Sequence, residues 1–307
     1  MVQLSSEQLL SEQLSSEQLS LGQLSPGQPS SDQPGWRGIA RLGYAMQGDR
    51  CVATEAYTRA PLRVQRSLYP EGDRLCHTVL VHTAGGLVGG DSLAIAVTAD
   101  QGSQVLITTA AASKVYGSPA QAATSQQVDI TLAADSCLEW MPQETIVFNQ
   151  AHYRQGLRVN LAPGAIWAGW EITRFGRSAR GETFDQGQWR SHLEIWQGDR
   201  PLWIDRQHLA GGSAPLHSPN GLAGHPVVGS FALVGYHPDP DQVAGLRQLW
   251  PSGAPGSVGV TRLQNGLLCR YRGPSSQAAR RWFVAVWQHL RPQYLGRAAA
   301  ASRIWPR

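Results

Sequence analysis

Six acidic residues lie within or beside apolar and glycine-rich stretches of the chain, where carboxylates could do chemistry. They are Asp91, Glu139, Glu144, Glu171, Glu182 and Asp205, with His82 near the first. Carboxylate oxygens with an imidazole can bind a divalent transition metal weakly and release it again. The histidines form no H-x-H or H-E-x-x-H pattern and do not pair with the cysteines, so the sequence does not predict a tight zinc-like site.

Asp205 is the most informative of these acids because it follows the apolar run Pro201-Leu202-Trp203-Ile204. A lone charge inside such a strand is costly unless it is paired or faces water. Asp205 therefore predicts a partner or a water-filled space at this position.

Two pairs of glutamates could act as the acid and base of a sugar-cleaving enzyme. Glu139 and Glu144 lie five residues apart, and Glu171 and Glu182 form the alternative pair. Glu139 and Glu144 could equally hydrogen-bond turns, and for Glu182 a pair with Arg177 is the simple structural interpretation. The residues alone leave this choice open.

The stretch His77–Asp91 carries two glycine pairs around Leu87-Val88. It lacks the Lys-Ser/Thr of a P-loop and the G-x-G-x-x-G fingerprint, and a short alternating strand follows it. We interpret it as a turn in which glycines permit positive φ and Asp91 accepts hydrogen bonds from the backbone amides.

The stretch Thr108–Tyr116 strings small and hydroxylic residues before Lys114, the sole lysine of the chain. It matches neither a Ser-x-x-Lys pair nor a nucleophile elbow. Nucleophilic catalysis therefore has little support.

Short β-like segments with turn residues between them must position these groups. The candidates are Leu93-Val97, Val105-Thr109, Val128-Leu132, Thr145-Phe148, Leu157-Leu161, Leu193-Trp196, Leu202-Arg206, Phe231-Tyr236, Val258-Leu263 and Leu267-Arg272. Because no helices are interleaved, this spacing predicts a mainly β fold of stacked sheets.

Two helices are predicted in the C-terminal half. The first runs from about Asp239, its N-cap, to Trp250, with Pro251 ending it. The second runs from about Ser276 to Leu290 and is closed by Pro292. Both are predicted to pack against the sheets rather than to carry catalysis.

Composition limits the class of protein. The chain of 307 residues has 11 Trp and 42% hydrophobic residues, enough for one large domain, which we place at residues 36–307. Residues 1–35 repeat a degenerate five-residue unit and are predicted to be a low-complexity, disordered tail. The net charge of +4 comes from scattered arginines without a basic run, so nucleic acid is not an expected partner.

The cellular compartment follows from what the segments lack. No apolar run is long enough to span a bilayer, and no signal peptide pattern opens the chain. Cys51, Cys76, Cys137 and Cys269 are widely separated and are expected to be reduced thiols in the core. The sequence therefore predicts a cytoplasmic protein with no membrane contact.

Four blocks in order resemble the urease accessory protein D family, also called H in some organisms. They are Leu80–Asp91, Thr108–Tyr116, Leu138–Glu144 and Gly176–Phe184. The resemblance covers roughly Trp36 to Arg291. It implies a β-helix-like single domain with two helices, in agreement with the pattern of strands.

The resemblance also implies a function. It implies that the chain acts as a scaffold or chaperone for nickel incorporation into apo-urease, in a complex with an F-type accessory protein and the GTPase G. It leaves open whether the chain forms a dimer within that complex. Nickel would cross a water-filled tunnel, transiently and without a tightly bound cofactor, past the positions Asp91, Ser113, Glu171 and Asp205. The resemblance implies no catalytic residues and no enzyme activity.

Two alternatives remain beside the maturation scaffold. One is a carbohydrate-active β-helix enzyme that uses the glutamate pairs described above. The other is an interaction protein without a nickel path, whose inward polar residues only stabilise the fold.

Overall fold

The strands of this computed structural model follow one another with short turns. Residues 35–118, 122–300, 302 and 304–305 are described; the predicted tail, except Gly35, lies outside them. In chain order the strands are β1 (Arg37–Gln47), β2 (Arg50–Arg59), β3 (Leu62–Val64), β4 (Leu75–His82), β5 (Ser92–Ala99), β6 (Gln104–Thr109), β7 (Ser113–Val115), β8 (Thr124–Leu132), β9 (Cys137–Met141), β10 (Thr145–Val147), β11 (His152–Leu161), β12 (Ile166–Phe175), β13 (Gln188–Gln197), β14 (Arg200–Ala210), β15 (Val227–Val234), β16 (Ser257–Leu263) and β17 (Gly266–Gly273).

These strands form two stacked sheets. Sheet A has seven strands in the order β14-β13-β11-β8-β5-β1-β2, and sheet B has ten, with β16-β17-β15-β12-β9-β6-β4-β3 as its main path and β7 and β10 beside it. From β4 to β12 the chain passes repeatedly between the sheets, so that β5, β8 and β11 pair in parallel in sheet A, and β4, β6, β9 and β12 in sheet B. The predicted mainly β, β-helix-like arrangement is confirmed, and each predicted strand lies in or overlaps an observed one.

Alternation along each strand decides what faces the space between the sheets. In β5, Leu93, Ile95 and Val97 are buried, whereas Ala94 and Ala96 face outward and are exposed. Strand β9 is buried at every position because the helices cover the outer face of sheet B. One apolar core therefore lies between the sheets and a second between sheet B and the helices.

The helices are α1 (Ala214–His217), α2 (Pro240–Gln248) and α3 (Ser276–Leu295). The predicted cap of α2 is confirmed. The Asp239 side chain accepts from the backbone N of Gln242 at 2.7 Å, and the backbone N of Asp239 donates to Gln242 Oε1 at 3.0 Å. No helix of the described residues is long and apolar enough to cross a membrane.

The prediction that Pro292 closes the last helix is wrong. Pro292 lies inside α3, which continues to Leu295 and ends at Gly296 in the left-handed conformation. A proline so near the end costs few backbone hydrogen bonds. The residues beyond it gain buried contacts, because Tyr294 is 8% exposed and its hydroxyl donates to Glu139 at 2.5 Å.

An ion pair between Glu139 and Arg291 fixes α3 on sheet B. Both side chains are fully buried, and Arg291 Nε and Nη2 each donate to the Glu139 carboxylate at 3.0 Å. Trp287 Nε1 donates to the same carboxylate at 2.7 Å. The other side of the guanidinium contacts Glu71, which also bonds His77 at 2.8 Å. Every polar atom of this pair therefore has a partner, which its burial requires.

The Glu139–Arg291 pair gives the first prediction. Arg291→Ala leaves the Glu139 carboxylate buried without a counterion, so we expect the free energy of unfolding to fall by about 3–5 kcal/mol. Denaturant unfolding followed by circular dichroism measures the change. Arg281→Ala, an exposed arginine on the same helix, is the matched control and should change the value by less than about 0.5 kcal/mol. Equal losses in the two variants would contradict the role of the pair.

Candidate functional site

Polar side chains from both sheets point into the apolar space between them. On each sheet, most of these residues lie at paired positions of neighbouring strands. On sheet A, Gln155 is paired with Gln126 on one side and Ser191 on the other, and Ser191 is paired with Gln207. Sheet B adds two further series of paired polar residues on neighbouring strands. One is Ser113, Thr145 and Thr173, and the other is Glu171, Ser230 and Arg270. We call this set the inter-sheet polar row; it consists of Gln126, Gln155, Ser191, Asp205 and Gln207 on sheet A, and Ser113, Thr145, Thr173, Glu171, Ser230 and Arg270 on sheet B.

Strand alternation places these polar residues inward. In β11, Gln155 lies between Tyr153 and Leu157, both of which belong to the core between the sheets. In β12, Glu171 lies on the same face as Trp167 and Phe175, which also belong to that core. The row is therefore a polar strip through an apolar interior.

Glu171 is the central acid of the row. Gln155 Nε2 and Ser191 Oγ donate to its Oε2 at 2.9 Å and 3.3 Å. The pKa of Glu171 is raised to about 7: burial, the largest cause, disfavours the charged form, the negative charge of nearby Asp205 acts in the same direction, and the bonds from Ser191 and Gln155 oppose the rise. Glu171 is thus poised to lose or gain a proton near neutral pH, and its two donors are neutral.

Asp205 is paired, as the sequence requires of a charge in this strand. Arg270 Nη2 donates to its Oδ1 at 2.8 Å and Gln207 Nε2 to its Oδ2 at 2.7 Å. Arg270 Nη1 also donates to Ser230 Oγ at 3.1 Å. The guanidinium therefore joins the two sheets at this end of the row.

Two adjoining cavities open onto the row. The larger, of about 200 Å³, is lined by His82, Ser113 and Gln126 among others. The smaller, of about 40 Å³, shares Ser113 and Gln126 and reaches Gln155 and Glu171. The fold thereby brings Ser113 and Glu171, far apart in sequence, to one connected space.

His82 presents a neutral imidazole beside the larger cavity. Its Nδ1–H donates to the carbonyl of Ala84 at 3.1 Å, which leaves Nε2 unprotonated. Burial lowers the pKa of His82. Within the described residues Nε2 has no hydrogen-bond partner. An imidazole in this state is a nitrogen donor suited to a transition metal.

Asp91 lies outside the row. Its carboxylate accepts from the backbone N of Trp36 at 2.8 Å and of Val88 at 2.9 Å, and the residue is 7% exposed. It lines neither cavity. Asp91 thus bonds one amide of the glycine-rich turn, that of Val88, as interpreted from the sequence, and one outside it, that of Trp36. Three of the four predicted passage residues belong to the row, although Asp205, like Asp91, lines neither cavity.

The remaining acids are committed to ion pairs. Glu139 is fully buried against Arg291. Glu144 contacts Arg280 and accepts from Ser276 Oγ at 3.3 Å. These contacts disfavour Glu139 and Glu144 as the acid and base of a sugar-cleaving enzyme, because no saccharide can reach the buried Glu139 carboxylate.

In the second glutamate pair, Glu182 is held by an arginine and lies away from the cavities that reach the row. Arg177 Nε donates to Glu182 Oε2 at 2.7 Å, which confirms the predicted Arg177–Glu182 pair. Glu182 lines neither of the cavities that reach the row. Among the residues that the structure describes, no three His, Cys, Asp or Glu side chains cluster to hold a metal ion.

Sequence reasoning missed most of the row. Gln126, Gln155, Ser191, Ser230 and Arg270 were not singled out, although each occupies an inward position with at least one apolar inward neighbour two residues away on its strand. That break in the alternation is the signal that could have found them. Arg270 in particular explains why Asp205 is tolerated.

Comparison with known proteins gives one family. A family model described as UreD urease accessory protein matches residues 37–306. Proteins named Urease accessory protein UreD are 53% identical over 272 residues in Acaryochloris marina and 54% over 274 residues in Nostoc punctiforme, covering 88% of this chain and 95% and 96% of those proteins. One from Dechloromonas aromatica is 41% identical over 274 residues, covering 88% of this chain and 94% of that protein.

Glu171 gives a pH-dependent prediction. Its pKa rises from 4.5 to about 7 on folding, so its ionisation costs stability. The cost is absent below pH 4.5, grows as pH rises to about 7 and is constant above. Glu171→Gln should therefore gain stability relative to wild type across this window. Glu171 is only half-buried, so solvent screens part of its charge and we expect a gain of about 1–2 kcal/mol.

Thermal and denaturant unfolding of both proteins at pH 4.5 and pH 8 measures this gain. Asp129→Asn, an exposed acid on the outer face of β8, is the control and should show no such trend. The stability of Glu171→Gln relative to wild type should therefore differ between the two pH values. An equal difference at both would contradict the conclusion that burial disfavours the charged form of Glu171.

Asp91 gives a prediction for the turn. Asp91→Ala removes the acceptor of two backbone amides, and we expect the free energy of unfolding to fall by about 1–3 kcal/mol. Asp49→Ala, whose side chain is 99% exposed, should stay within about 0.5 kcal/mol of wild type. Chemical denaturation compares the two, and an Asp91→Ala protein as stable as Asp49→Ala would refute the structural role.

Proposed function

Because the chain belongs to the UreD urease accessory protein family, we propose that it is a maturation factor of urease. In this proposal it acts as a scaffold for functional incorporation of nickel into apo-urease. It works in a complex with an F-type accessory protein and the GTPase G, in the cytoplasm. The chain has no turnover of its own, and GTP hydrolysis is the work of the partner.

The inter-sheet polar row is the observation that carries a passage for nickel. A hydrated Ni²⁺ ion needs oxygen or nitrogen donors that bind weakly enough to release it. Ser113 and Glu171 supply oxygens to the connected cavities, and His82 supplies a nitrogen beside them. Because Glu171 receives its hydrogen bonds from neutral donors, its charge is available to a passing cation.

The electrostatics of the row support transient rather than resident metal. Isolated acids in an apolar interior keep their charge only beside water or a cation. The Glu171 carboxylate has a pKa of about 7, so a proton and a metal ion compete for it near neutral pH. Nickel would thus be held in passing, as cargo of the complex.

The buried cysteines agree with a protein that handles nickel without trapping it. Cys51, Cys76, Cys137 and Cys269 are all free and buried. Burial raises the pKa of Cys51, Cys137 and Cys269, which keeps these thiols protonated and poor as metal ligands. The oxygen-lined row therefore has no thiolate competitor among these three groups.

An interaction scaffold without a nickel path is the second candidate. The bonds of Gln155 and Arg270 across the space between the sheets favour it, since such bonds also serve to hold two sheets together. The two candidates differ in what happens when the charges of the row are removed from an intact complex.

Removing the acids of the row tests the nickel passage. Glu171→Ala and Asp205→Ala should assemble with apo-urease and the F-type protein yet lower urease activation several-fold at limiting nickel. Asp129→Ala, on the outer face, is the matched control and should activate like wild type. Co-purification measures assembly, and urease activity with bound nickel per active site measures activation.

Two outcomes count against parts of this proposal. Unchanged activation in intact complexes of both variants would eliminate the passage and leave the interaction scaffold. If wild-type chain retrieves neither apo-urease nor the F-type protein from urease-positive cells, the maturation role itself is contradicted.

A further inference from the structure

Arg270 places a fixed positive charge at the Asp205 end of the inter-sheet polar row. Its guanidinium donates to Asp205 Oδ1 at 2.8 Å and to Ser230 Oγ at 3.1 Å. Ser230 is in register with Glu171 on β12 and with Arg270 on β17. The Arg270 guanidinium therefore belongs to the strand next to that of Ser230, on the side away from Glu171, and it contacts Asp205, the second acid of the row.

A charge in this place changes what the row can bind. Asp205 is already neutralised by Arg270, and its second oxygen accepts from Gln207 at 2.7 Å. A divalent cation that approached Asp205 would meet the guanidinium at close range in a partly buried setting, where like charges repel strongly. As long as the ion pair stands, Asp205 is closed to metal.

The surroundings of Arg270 give its side chain somewhere else to go. The side chain is 39% exposed, whereas that of Asp205 is 14% exposed. Arg270 lines an open groove of about 410 Å³, together with Asn220, Val228 and Ser257. This groove adjoins the side chain and is the space that the guanidinium would enter if the pair opened, with the Gln207 bond to Asp205 left in place.

We propose that Arg270 closes the Asp205 end of the inter-sheet polar row to divalent cations when the chain is by itself, and that its ion pair with Asp205 opens when nickel passes. This inference rests on the proposed function and deepens it. It assigns Arg270 a role in selectivity: with the pair closed, Glu171 is the accessible carboxylate of the row and Asp205 is withheld. With the pair open, the Asp205 carboxylate is free to bind a cation near Glu171, with whose charge it already interacts.

Nickel binding to the full-length, untagged protein at pH 7.5 tests the closure. Arg270→Gln keeps an amide that can hydrogen-bond Asp205 but removes the charge. We expect it to bind Ni²⁺ at least tenfold more tightly than wild type in isothermal titration and in competition with a metallochromic dye. Circular dichroism and thermal unfolding confirm that the variant is folded.

Three further variants separate closure from a general loss of positive charge. Arg270→Lys keeps the charge and should bind nickel as weakly as wild type. Arg270→Gln combined with Asp205→Asn should lose the added affinity. Arg272→Gln is the matched control, because Arg272 lies two residues along β17 and bonds the carbonyls of Pro219 and Gly221 instead of an acid; its nickel affinity should stay that of wild type.

The outcomes distinguish this inference from the proposed function. A folded Arg270→Gln protein with wild-type nickel affinity overturns the closure, and so does an equal gain in Arg272→Gln. If that happens while Glu171→Ala still lowers activation in an intact complex, the passage stands without a closing residue. If Arg270→Gln gains affinity but Glu171→Ala and Asp205→Ala both activate normally in intact complexes, Arg270 withholds Asp205 from metal but the passage fails, and with it the opening of the pair during passage.

Discussion

The fully buried contact between Glu139 and Arg291 is the constraint on which the arrangement of layers depends. Glu139 is in register with Leu106 and Ala168 on the flanking strands, so its carboxylate stands in an apolar surface. Only a helix that brings Arg291 to that point can compensate it. The contact fixes the position of α3 along sheet B, and α3 in turn shields the outer face of the sheet from water. With that face buried, the inward face of the same strands is held opposite sheet A.

The carboxylates in the interior are compensated by different groups, and the compensating group determines what each acid can do. Glu139 is compensated by a cation and serves the fold. Asp91 is compensated by backbone amides and fixes a turn. Asp205 is compensated by Arg270 at the end of the row. Glu171 receives only neutral donors, and its raised pKa shows that its charge is incompletely compensated. In the proposed passage, a cation beside Glu171 would supply the compensation that this carboxylate lacks.

The strands and their stacking could be predicted because alternation with a period of two is local. The pattern of Leu93, Ile95 and Val97 determines a strand with one buried face in any fold. The ends of the helices could be predicted only in part. The Asp239 cap is a local hydrogen bond and was predicted. The extension of α3 past Pro292 depends on the contact of Tyr294 with Glu139, which lies on a strand 155 residues earlier in the chain. No local pattern carries that information.

The sequence by itself determined the fold class, the resemblance to one family, the Arg177–Glu182 pair and the amide-binding role of Asp91, because each depends on short-range spacing or on ordered motifs. Only the tertiary structure decided that Ser113 and Glu171 share a connected space and that the partner of Asp205 is Arg270. The Asp205–Arg270 contact joins strands of different sheets, and Ser113 and Glu171 lie on separate strands of sheet B. Which of these strands meet is set by the packing of whole layers. The physical reason is that alternation tells which side chains point inward, but only packing tells which of them meet.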